Sequence, residues 1–91
     1  MQEGLSGLRK EIDACDDIIV NTFIKRMKIA GRISEYKKAN NIETLDKKRE
    51  YDLKQRVLQS TDDDFKCYMS ELFDKILELS KKYQEELRKN S

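Results

Sequence analysis

Leu8 to Lys38 reads LRKEIDACDDIIVNTFIKRMKIAGRISEYKK, and this stretch decides the fold. It contains no proline and runs into Asn40-Asn41, residues that tolerate the left-handed backbone on which helices stop. Leu8, Ile12, Cys15, Ile19, Phe23, Ala30 and Ile33 recur at the spacings of one helix face. The same row passes through Arg26 and Lys37. Eleven positions separate them, so they lie within roughly 20° of each other around a helix and about 16 Å apart along it. An apolar seam interrupted by cations calls for an anion.

Working outward, Gly4 and Gly7 argue against firm helix at the start, and Ser6 is the expected N-cap. Gly31 should cost its helix about 1 kcal/mol relative to alanine; with Ala30 beside it, the expectation is close approach of a neighbouring helix. Ile42 to Leu45 forms a link. Asp46 then caps a short second helix over Lys47 to Gln59, whose apolar positions are Tyr51, Leu53, Val57 and Leu58. Thr61 and Asp64 have capping-box spacing for a third helix over about Asp63 to Leu87. Its stripe is Phe65, Met69, Leu72, Phe73, Ile76, Ser80, Tyr83 and Leu87, with Gln84 at the flank. The residues from Arg88 onward should fray. The expected architecture is all-α, three helices ordered long, short, long, in one domain spanning 1–91, with no strand signal.

A first helix of that size is about 50 Å long, whereas a compact chain of 91 residues has a radius of gyration near 12 Å. The helix overhangs any globule this chain can build alone, so its apolar face needs a second chain. A homodimer is the economical answer.

Composition narrows the function. The chain is 41% charged, yet 19 basic residues face 18 acidic ones, and the net charge of +1 recommends neither nucleic acid nor an anionic membrane as partner. There is no long apolar run and no basic-then-apolar leader over Met1 to Lys10, which points to a soluble, cytoplasmic protein. Cys15 and Cys67 fit that compartment as free thiols. With no histidine and the cysteines 52 positions apart, no zinc-ligand spacing exists.

One polar residue on an apolar face is usually structural: an arginine snorkels, a glutamine bonds a neighbouring helix. Here Arg26, Lys37, Ser80 and Gln84 interrupt the seams of two helices that should pack together. Burying two cations without a carboxylate on the same rows is costly. A polar pocket inside the bundle is the better arrangement.

The strings that carry these residues are LRKEID with Arg9, IKRMKIAGRISEYK with Arg26 and Lys37, LDKKRE with Asp46, Arg49 and Glu50, and LSKKYQ with Ser80 and Gln84. In this order and at these separations, the chain resembles the all-helical (AroQ-class) chorismate mutases along nearly its whole length. The resemblance implies conversion of chorismate to prephenate by a Claisen rearrangement, in the biosynthesis of phenylalanine and tyrosine. Such a reaction requires no proton transfer, covalent intermediate, metal or cofactor, in keeping with a chain lacking any nucleophile–base pair. It needs a flexible dianion held in its reactive conformer, and charge stabilisation at the ether oxygen.

By resemblance, Arg9 and Arg26 clamp the two carboxylates, and Lys37 and Gln84 donate to the ether oxygen. Glu50 accepts from the ring hydroxyl, Arg49 and Ser80 support carboxylate binding, and the Asp46 backbone lines the pocket. The catalytic group is thus Lys37, Gln84, Glu50 and Arg26. Without the family, Arg9, Arg49 and Glu50 would pass as solvated charges, while Lys38, Lys47, Lys48, Lys81, Lys82 and Arg88 are expected on solvated faces. Arg9 and Arg26 are 17 residues apart, roughly 25 Å along one helix and about 100° around it. They cannot grip one small ligand from a single chain, so Arg9 must come from the partner chain of an antiparallel pair, as in the family's interlocked dimer.

Two positions depart from the family's pattern: the loop Ala39 to Leu45 lacks its usual proline, and Lys48 replaces an aspartate commonly found before the Arg-Glu pair. They bear on loop order and affinity more than on chemistry. Two other readings compete. Isochorismate-pyruvate lyases of the same fold hold a similar ligand, and Glu50 favours the mutase. A non-catalytic helical dimer or regulatory module would explain the long helix, but not cations and glutamine in its seam.

Overall fold

The computed structural model describes residues 4–90. Three α-helices run in the order α1 (Leu5–Ala39), α2 (Lys47–Gln59) and α3 (Lys66–Lys89), with a single 3-10 turn (Asp63–Phe65) ahead of α3 and no strand among the described residues.

α1 begins earlier than the glycines suggest. Gly4 is its N-cap, without a side-chain cap, and Leu8 N donates to Gly4 O at 3.2 Å. Ser6 is therefore inside the helix and not its cap. Helix formation is cooperative, so one glycine at position 7 does not stop a run of this length. The far end stops as expected. Asn41 takes φ 57°, Asn41 N donates to Lys38 O at 3.3 Å, and Ile42 N donates to Lys37 O at 2.7 Å. This is the paired bonding of a Schellman motif, and it satisfies carbonyls the helix leaves open.

α2 starts where its cap predicts, with Asp46 Oδ1 accepting from Arg49 N at 3.0 Å. The Thr61–Asp64 capping box does not form. Thr61 Oγ1 instead donates back to Val57 O at 2.7 Å, closing α2, and the turn before α3 has no side-chain cap. α3 does not fray at Arg88: it continues through Lys89, and Arg88 donates to Ile42 O at 2.8 Å.

α3 packs on the C-terminal half of α1. The contact is made by small residues, with Ala30, Gly31 and Ser34 buried on α1 and Ser80 buried on α3. A Cβ on Gly31 would stand 3.3 Å from both Leu87 Cδ1 and Tyr83 Cε2, so the glycine is there for close approach. Ser34 Oγ donates to Gln84 O at 3.3 Å across the same seam. On α2, Leu53 turns inward, and Lys54 pairs with Asp74 of α3.

The N-terminal half of α1 is bare. Leu8, Ile12 and Ile19 are each more than half exposed, Cys15 is an exposed free thiol, and the expected seam is covered only near Ala30. The stripe of α3 is also partly open, at Phe65 and Leu72. The radius of gyration is 16.9 Å with extents of 60 × 28 × 14 Å, against roughly 12 Å for a compact chain of this length. No described helix is long and apolar enough to cross a membrane.

Candidate functional site

Where α1, α2 and α3 converge lies a cleft of about 270 Å³, close to the lower end of small-molecule pockets. Arg26 and Lys37 reach it from α1, Asp46, Arg49 and Glu50 from the start of α2, and Ser80 and Gln84 from α3. Seven of the eight residues singled out in the sequence thus share one cavity. Arg9 does not line it; it is exposed in the N-terminal half of α1.

Arg26 is anchored. Its guanidinium donates to Ser80 Oγ at 2.8 Å, and Ser80 Oγ lies 3.9 Å from Met27 Sδ, which it can reach as a weak donor. Burial, and then the neighbouring Arg49 guanidinium, hold Arg26 below the usual arginine range. Both causes disfavour the cation, and an anion in the cleft relieves both. Lys37 Nζ donates to Thr44 O at 2.9 Å, tying the link between α1 and α2 to the cleft wall. Gln84 Oε1 is buried with no hydrogen-bond partner. A buried polar atom in that state needs an explanation, and a ligand is one.

Four cations line the cleft, Arg26, Lys37, Arg49 and Lys81, against the carboxylates of Asp46 and Glu50, a formal surplus of two positive charges. Apolar walls come from Ile29, Ile33 and Leu77. The arrangement suits a small dianion with an apolar ring. Among the described residues no three His, Cys, Asp or Glu side chains converge as metal ligands.

Arg49 is exposed and Glu50 half-buried, and both line the cleft. Lys81 is not on a solvated face; it is half-buried and lines the cleft too. A helical wheel of α3 carries the signal for Lys81, since Leu77, Ser80, Lys81 and Gln84 span an arc of about 100°. The carbonyl of Thr44 carries no side-chain signal, and only the path of the link brings it to Lys37.

No curated relative and no solved structure matches the chain. The family model described as chorismate mutase type II matches residues 8–85. That span takes in every residue of the cleft, and the chain belongs to the chorismate mutase type II family.

Proposed function

We propose that this protein is a chorismate mutase that rearranges chorismate to prephenate for aromatic amino acid biosynthesis. The observation that carries the reading is the cleft itself: Arg26 held by Ser80, Lys37 and the Gln84 amide, whose Oε1 has no partner, meet in one cavity with two positive charges in surplus. Chorismate is a dianion, opposite in sign to that surplus. In the reaction the ether C–O bond breaks as a C–C bond forms within the same molecule, so no group leaves and no cofactor is required.

Arg26 binds one carboxylate through its planar fork, with Arg49 and Ser80 in support. Arg9 of the partner subunit binds the other. Lys37 and Gln84 donate to the ether oxygen as negative charge builds there, which is how fixed donors lower such barriers. The two ends of a glutamine amide are set by their surroundings, and an ether oxygen turns the NH2 of Gln84 inward. Glu50 accepts from the ring hydroxyl, and the Asp46 backbone closes the pocket.

The second subunit is part of the proposal. The bare apolar row from Leu8 to Ile24 supports an interlocked antiparallel homodimer, in which each α1 delivers Arg9 to the other chain's cleft. Exposed free thiols at Cys15 and Cys67 fit a reducing compartment, and the cytoplasm is the proposed location.

The test is to follow loss of chorismate absorbance with purified protein and identify the product, with isochorismate assayed in parallel. Prephenate from chorismate is the expected result. Pyruvate from isochorismate with little prephenate would reassign the cleft to a lyase. Turnover of neither by a folded dimer would leave a non-catalytic helical module.

A further inference from the structure

Lys81 is the cleft cation to which the resemblance assigns no role. It follows Ser80 and precedes Gln84 by one turn on the same face of α3, and it is half-buried. Lys81 also stands, with Glu50 and Leu77, in the wall shared with a second cleft of about 470 Å³ between α2 and α3. The other acids of that second cleft are already engaged: Asp74 with Lys54, and Glu78 with Lys75 at 3.4 Å. No hydrogen bond or ion pair is recorded for Lys81 among the described residues. The acid left to face it on the shared wall is Glu50.

Charge gives this placement a consequence. Lys81 is one of four cations against two carboxylates in the cleft of one chain, before Arg9 of the partner subunit is added. An ammonium on a flexible four-carbon stem can turn toward a bound carboxylate without moving the backbone. We propose that Lys81 is a substrate-binding residue, its ammonium unpaired in the empty cleft and meeting a substrate carboxylate in the filled one. The proposal rests on the chorismate mutase reading and extends it to a position outside the family's residue set. Because the contact is made alike in the bound ground state and at the barrier, Lys81 should act on KM and leave kcat nearly unchanged.

The experiment uses the full chain and compares the parent with Lys81→Met, Lys81→Arg and Lys82→Met. Lys82 is the exposed neighbour and serves as the control for general surface charge. Prephenate formation is measured across chorismate concentration at low and high salt, with circular dichroism to check folding. Lys81→Met should raise KM about tenfold at low salt, as loss of one charge-assisted contact does, with kcat within about twofold of the parent. Its KM should also depend less steeply on salt. Lys81→Arg should restore most of the lost affinity, and Lys82→Met should match the parent. A folded Lys81→Met with unchanged KM and salt dependence overturns the assignment and leaves the mutase reading standing. The same holds if Lys82→Met shifts KM equally, since the effect is then one of overall charge. A parent that neither binds chorismate by calorimetry nor turns it over overturns both.

Discussion

Replacing Lys37 by alanine separates the chemistry of the cleft from its architecture. Lys37 is half-buried near the end of α1, and the bond recorded for its ammonium runs to Thr44 O. Removing it costs a charge-assisted hydrogen bond and a cation near a helix C-terminus, about 1–3 kcal/mol together. Alanine returns a little through helix propensity, and removing one cation lowers the surplus of positive charge in the cleft. The link between α1 and α2 also keeps the Schellman bonds and the bond from Arg88 to Ile42 O. The fold should therefore survive. The rate should not. Losing one preorganised donor to a developing oxyanion costs roughly 10²–10³ in kcat, or about 2.7–4 kcal/mol. Initial rates of chorismate loss, with prephenate identified, are compared with a Lys28→Ala control, an exposed lysine of α1 outside the cleft. Circular dichroism and thermal melts at fixed protein concentration establish that both variants fold. A folded Lys37→Ala with kcat within a few-fold of the parent would refute the role of Lys37 at the ether oxygen.

Other predictions probe other parts of the reading. Arg9→Ala and Lys37→Ala should each be nearly inactive, yet unfolding and refolding them together at equal amounts should restore activity in about a quarter of the sites, because half the dimers are mixed and each holds one intact site. A mixture no better than its parts would place Arg9 outside the partner's cleft. Gln84→Glu should make activity fall as pH rises through the new carboxyl's pKa: the protonated acid donates as the amide does, while the carboxylate repels the charge building on the ether oxygen. A flat profile would remove the donor role. Gly31→Val should lower stability by about 1–3 kcal/mol through overpacking, since even a Cβ there meets Leu87 and Tyr83 at 3.3 Å. An unchanged melting temperature at fixed concentration would mean that α3 can back away from α1.

What the sequence alone determined is what local forces set. The 3.6-residue period, the absence of proline, the Asn40-Asn41 stop and the Asp46 cap act within a few residues of chain, so α2 and the end of α1 were legible to the residue. So was the sharing of one helix face by Arg26 and Lys37. Tertiary structure decided which faces meet. Within this chain α3 covers Ala30, Gly31 and Ser34, while the apolar row of Leu8, Ile12 and Ile19 stays open, because burial depends on where another helix lies and not on the row's own hydrophobicity. Non-local contacts likewise join Arg26 to Ser80, 54 residues away, bring the Thr44 carbonyl to Lys37, and turn Lys81 from an anonymous surface lysine into a wall of the cleft. Periodicity ranks residues by face. Only packing assigns each face a neighbour.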